Sequence, residues 1–169
     1  MDINAKFIMD NNYPLDVFVI HYTKLIERRK VVDEIFNDQI FRLSYINQFD
    51  QEDIVNADLS GTYSMDENEY KEKSRLWERG NEYKKLNNAE ISCTLKHIEA
   101  IKNCATGKND ISLIVEDDIF TFKKNYKKRL LDVIIKKEDW DLLFIGEGIS
   151  KKFIMNKLNK KFILREKYF

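Results

Sequence analysis

Three carboxylates in a row, Glu116-Asp117-Asp118, stand directly after the apolar run Ile111-Ser112-Leu113-Ile114-Val115. Adjacent acids at the tip of a hydrophobic strand repel one another and lose hydration, so a cation or a set of hydrogen-bond donors has to compensate them. A divalent ion such as Mg2+ or Mn2+ is one solution. Hard cations take oxygen ligands, commonly one or two carboxylates with a substrate diphosphate completing the shell. Such an ion anchors the diphosphate and stabilises the charge that grows on it as a leaving group departs. The second solution is local: Asp117 and Asp118 cap a helix starting near Thr121, where free backbone N–H groups and the helix dipole favour carboxylates. Acidic triplets after a strand also serve metal-dependent phosphotransferases and nucleases, so the motif alone does not choose a reaction.

The elements that must carry this triplet alternate between strand and helix. Leu15 to Ile20 is a short β-branched run opened by Pro14, the chain's one proline, and suits a strand buried on both faces. From Thr23, a predicted helix cap, Leu25, Val32 and Phe36 fall on one helical face, with Ile26 and Ile35 beside them. Ile40 to Ile46 reads as a second strand, and strand, helix, strand implies a right-handed parallel unit. Residues 58–88, rich in charge and amide with scattered aromatics, read as an insertion. From Ala89, the residues Ile91, Leu95, Ile98, Ile101 and Ala105 repeat at helical spacing until Gly107 supplies a stop. After the triplet, Phe122, Tyr126, Leu130 and Val133 mark another amphipathic helix, and Trp140 to Ile145 a further strand ending in Gly146-Glu147-Gly148. An open parallel sheet binds ligands at the carboxyl ends of its strands, which is where the triplet falls.

Composition narrows the partners. With 169 residues, 43% of them hydrophobic, the chain can bury a core and reads as one domain, 1–169. Lys plus Arg and Asp plus Glu are both 29, which argues against a large basic face for nucleic acid. Cys93 and Cys104 make no disulfide framework, and neither has a second Cys or His at zinc-ligand spacing, so a reducing compartment is expected. Eleven residues apart, they share a helical face and read as small apolar packing groups. The start Met1-Asp2-Ile3-Asn4-Ala5-Lys6 lacks the marks of a signal peptide, and no apolar run reaches the ~18 residues of a membrane span. A cytoplasmic protein is expected. The basic stretch Lys151 to Lys161, with Phe153, Ile154, Met155 and Leu158, is either a solvated helix or a surface for peripheral membrane association.

The motifs also occur in a familiar order. Val17-Phe18-Val19-Ile20 followed by Glu27-Arg28-Arg29, then Glu90-Ile91-Ser92-Cys93-Thr94-Leu95-Lys96-His97, then Leu113-Ile114-Val115-Glu116-Asp117-Asp118, then Trp140-Asp141-Leu142-Leu143-Phe144-Ile145-Gly146 resemble glycosyltransferase family 25. This is the lipopolysaccharide and lipooligosaccharide biosynthesis family related to collagen galactosyltransferases. The resemblance covers residues 15–148, with 58–88 outside it.

The resemblance implies a GT-A-like (Rossmann-like) α/β fold: a mostly parallel sheet flanked by helices, here lacking part of the C-terminal acceptor region. It also implies Mn2+ or Mg2+, and transfer of galactose or glucose with inversion from a UDP-sugar donor to a surface glycan or lipid-linked saccharide. Carried over by residue, Asp118 and Glu116 are the metal contacts, with Glu116 and Asp117 also candidates for the donor ribose. Arg28 and Arg29 are candidates for the donor diphosphate, because guanidinium pairs well with phosphate, and helical position turns Arg29 further inward than Arg28. Their alternative is a solvated helix face. His97, at the edge of the apolar stripe, is a donor contact or a packing histidine. Lys96 stands where the family usually has Ser, which weakens a role for that pair. The chain stops at Phe169, so the segment expected to carry the catalytic base is missing, and Glu147 is the stand-in base. Two other readings stay open: a catalytically incomplete domain binding a nucleotide sugar or a partner, and a metal-dependent phosphohydrolase.

Overall fold

The computed structural model describes residues 14–61, 68, 86–119, 125–135, 142, 143 and 145. Chain contacts divide them into two compact units. One holds residues 15–37 and 41–119; the other holds Pro14, residues 38–40 and the described residues beyond 119.

The first unit contains β1 (Leu15–Ile20), α1 (Ile26–Ile35), β2 (Phe41–Ile46), a 3-10 turn (Asp53–Asn56), α2 (Asn88–Thr106) and β3 (Ser112–Glu116). Its sheet has the order β2-β1-β3 with both pairings parallel, so β1 is central. The largely apolar run of β1 has its cause here: every one of its six residues is buried, in the central strand of the sheet with α2 packed on one face. Phe18 and Ile20 point to the face where Cys93, Ala100 and Cys104 of α2 pack with Ile46 and Ile114. On the opposite face Tyr45, in register with Val19, donates its hydroxyl hydrogen to Asp33 of α1 at 2.6 Å. Burying each aliphatic side chain of β1 contributes about 1.5–3 kcal/mol, enough to fix this strand's place.

Asp16 is the exception within β1. It is 4% exposed, and its charge is met by Arg42, its register partner on β2, through bonds of 2.5 and 2.9 Å, and by Asn109 Nδ2 at 2.8 Å. A buried carboxylate tolerates its position only with such donors. This cluster ties the amino end of β1 to the loop after α2.

The expected α/β alternation and parallel pairing are present, with shifts at element ends. Helix α1 begins after Leu25 with no side-chain cap; Thr23, expected as that cap, gives its hydroxyl hydrogen to Asp50 instead. Helix α2 begins at Asn88, because Asn87 and Glu90 close a capping box: Glu90 N–H to Asn87 Oδ1 at 2.9 Å and Asn87 N–H to Glu90 Oε2 at 2.8 Å. Gly107 ends it as expected, and Cys93 and Cys104 do share the core-facing side.

The second unit holds α3 (Tyr126–Ile135), whose Leu130, Leu131, Val133 and Ile134 are buried. Phe122, most of the 58–88 insertion, most of the expected strand Trp140 to Ile145, the Gly146-Glu147-Gly148 turn and the basic stretch Lys151 to Lys161 lie outside the described residues. Among the described residues, no helix is long and apolar enough to cross a membrane.

Candidate functional site

The register places Ile20 of β1 opposite Glu116 of β3, so the two chains leave the sheet side by side as His21 and Asp117. Asp117 turns inward and is 7% exposed. Its Oδ2 accepts from His21 Nδ1 at 2.9 Å and from the Tyr22 N–H at 3.1 Å, and its Oδ1 accepts from Arg28 Nη1 at 3.0 Å. Burial pushes this carboxyl upward, but Arg28, the Tyr22 amide and His21 outweigh it and hold Asp117 below the ordinary carboxylate value. Hydrogen-bond donors thus compensate the middle acid of the triplet. They come from α1 and from the loop after β1.

A depressed carboxyl has a consequence in acid. Its stabilisation is whole above the unfolded value of about 3.9 and is lost as pH falls through the lower folded value. Asp117→Asn, which cannot titrate, is expected to be less stable at pH 7 by about 1–3 kcal/mol. It is also expected to lose less additional stability than the wild type below about pH 4. Urea titrations across pH check this, and parallel pH profiles for the two proteins would contradict it.

Glu116 and Asp118, on either side, are exposed. Among the described residues Asp118 makes no hydrogen bond or ion pair. Glu116 lies two positions after Ile114 and so shares the face covered by α2. There its Oε1 is 3.8 Å from His97 Nε2. His97 Nδ1 sits 2.9 Å from the Cys93 carbonyl oxygen and 3.6 Å from Cys93 Sγ. Cys93, His97 and Glu116 offer ligand atoms that all lie within 4.8 Å of one another. The expectation that Cys93 lacks a partner at zinc-ligand spacing is thereby corrected. Its partner His97 is one helical turn on in the same helix, an i, i+4 spacing visible in the sequence, and only the third group, arriving from β3, is hidden from linear spacing. The Cys93 thiol is pushed up by burial and then by the Glu116, Asp118 and Asp117 carboxylates, so the triplet's charge reaches this helix.

Two groups absent from the sequence-based site hold the loop that carries His21 and Tyr22. Lys96 is 2% exposed, and its ammonium donates to the His21 carbonyl and to Asp50 Oδ1. Asp50 also accepts from the Thr23 hydroxyl, and from the Thr23 N–H at 3.4 Å. Burial raises the Asp50 carboxyl, yet Lys96 and Thr23 prevail and hold it low. Lys96 at the family's Ser position thus fastens α2 to the loop after β1. His21 itself was legible in one respect only: it is one of two histidines in the chain and follows β1 directly.

The arginines divide differently from expectation. Arg28, not Arg29, reaches the buried Asp117, while the Arg29 guanidinium lies 4.3 Å over the Tyr45 ring. Arg28, Arg29, His97, Glu116, Asp117 and Asp118 all belong to one compact unit, and Glu147 lies outside the described residues.

No curated protein and no solved structure matches the chain. The family model described as glycosyltransferase family 25 (LPS biosynthesis protein) matches residues 15–169, which extends beyond the 15–148 expected and takes in 58–88. An α/β unit with a parallel sheet, an acidic triplet at the carboxyl end of β3 and a family match over nearly the whole chain agree: the protein belongs to glycosyltransferase family 25.

Proposed function

We propose that the chain transfers a hexose, galactose or glucose, with inversion from a UDP-sugar to a saccharide or lipid-linked saccharide acceptor, using a GT-A type site that includes Mn2+ or Mg2+. The observation that carries this reading is the division of the triplet at the sheet's carboxyl end. One acid is buried and held by Arg28, His21 and the Tyr22 amide, and two flanking acids are exposed. The exposed pair fits a hard cation, because both groups are carboxylates open to solvent. When bound, such an ion supplies charge stabilisation for the departing UDP.

The chain's own residues then have separable tasks. Glu116 and Asp118 hold the ion. Asp117 positions Arg28, whose half-exposed guanidinium faces the donor diphosphate while one of its nitrogens stays on Asp117. Arg29 and His97 are the remaining donor contacts. Glu147 is the base that takes the proton from the acceptor hydroxyl. Peripheral contact with a membrane through Lys151 to Lys161 would bring the enzyme to lipid-linked acceptors.

The test is release of UDP from UDP-galactose and UDP-glucose with Mn2+, in the presence and absence of a panel of saccharide acceptors. Acceptor-dependent release is expected. Equal release without acceptor would identify a hydrolase, and donor binding with no release in either arm would identify a nucleotide-sugar-binding module.

A further inference from the structure

We propose that Cys93, His97 and Glu116 form a site for a zinc-class divalent ion that staples α2 to the carboxyl end of β3. The proposal does not rest on the transferase reading, and it shares two residues with it: Glu116 would give one carboxylate oxygen to each ion, and His97 would act as a zinc ligand in place of a donor contact. It starts from the orientation of His97. A carbonyl oxygen can only accept, so the 2.9 Å contact with the Cys93 carbonyl assigns the proton to Nδ1. In the neutral ring the lone pair is then on Nε2, 3.8 Å from Glu116 Oε1. A neutral imidazole nitrogen and a carboxylate oxygen are both acceptors, and two acceptors face each other stably only across a proton or a metal ion. The backbone bond to the second ring nitrogen is the arrangement that orients a ligating histidine and fixes its tautomer.

The third group decides which metal. Cys93 lies one helical turn before His97, on the side of α2 that faces the sheet, and its sulfur completes a set whose ligand atoms all fall within 4.8 Å of one another. On a tetrahedral zinc, nitrogen and oxygen ligands at about 2.0–2.1 Å and sulfur at about 2.3 Å stand roughly 3.3–3.6 Å from one another. With every separation within 4.8 Å, the set needs closure by at most about 1.5 Å, within reach of side-chain rotation. A mixed sulfur, nitrogen and oxygen set favours Zn2+ or Co2+ over the hard Mg2+ and Mn2+. Glu116 is 55% exposed at its side chain, so a fourth position would open to solvent or to a ligand.

The experiment uses the full chain, freed of metal with a chelator and then titrated with Zn2+ by calorimetry and with Co2+ by absorbance. One Zn2+ per chain is expected, together with a thiolate-to-cobalt charge-transfer band. Cys93→Ser should remove the band and weaken Zn2+ binding by more than about 100-fold, beyond the 10–100-fold that loss of an outer-shell partner costs. Zinc should also raise Tm in the wild type and not in Cys93→Ser. His97→Gln should weaken zinc in the same way, which keeps the test decisive should one variant fold poorly. Asp118→Ala should leave zinc binding intact, so failure here and failure of the transferase reading are separable. Absence of zinc uptake, leaving a proton between His97 and Glu116, or uptake equal in wild type and Cys93→Ser would overturn the proposal.

Discussion

Lys96→Met is expected to lower the free energy of unfolding by about 3–5 kcal/mol, the cost of removing one partner from a buried ion pair. The substitution keeps the volume and apolar stem of the side chain but deletes the ammonium that donates to Asp50 and to the His21 carbonyl. Asp50, 7% exposed, would keep its charge with only the Thr23 donors left. Removing both charges in Lys96→Met/Asp50→Leu should recover much of the loss, because an apolar pair leaves no orphaned charge behind. Chemical denaturation reads both effects. A single variant within about 0.5 kcal/mol of the wild type, as for an ordinary surface position, would show that the pair contributes little. The lysine also fixes the loop whose Tyr22 amide and His21 ring hold Asp117, so the substitution should impair donor binding at temperatures where the fold persists.

Asp118→Ala should behave in the opposite manner, leaving stability within about 0.5 kcal/mol of the wild type because the side chain is exposed. Its effect should fall on turnover, which is expected to drop by about 10³-fold or more. That corresponds to roughly 4 kcal/mol, within the several kcal/mol that a bound metal supplies to a developing charge. UDP release with saturating donor and acceptor measures it. A loss confined to KM would assign Asp118 to ground-state binding alone, and unchanged turnover would remove it from the reaction. Asp117→Ala should instead damage stability and turnover together, since its carboxylate is both buried and the anchor of Arg28.

The contrast between these neighbours shows what the sequence could express. Hydrophobic periodicity located β1, α2 and β3, because burial on both faces or on one helical stripe leaves a regular record. It also located the triplet at a strand end. Which of the three acids turns inward depends on register, Ile20 against Glu116, and that places His21 beside Asp117 across 96 positions of chain. No local pattern records such a pairing. The same holds for Lys96. A lysine within an amphipathic helix reads as solvated, and it becomes a buried tether only because Asp50 and the His21 carbonyl lie opposite it. Thr23 departs from the expected cap for a related reason: capping propensity is local, and its hydroxyl finds a better acceptor in Asp50. Arg28 and Arg29 were separated by helical phase, but a long side chain at the helix edge reaches where its Cβ does not point.

The central claim is that a hard cation held by Glu116 and Asp118 joins the protein to a nucleotide-sugar diphosphate. Calorimetric titration of UDP-galactose and UDP-glucose, with and without Mn2+, on the wild type and on Asp118→Ala tests it most directly. Binding should require Mn2+ and disappear in Asp118→Ala while the unfolding transition is unchanged. Donor binding of equal strength without metal, or undiminished by the substitution, would contradict it.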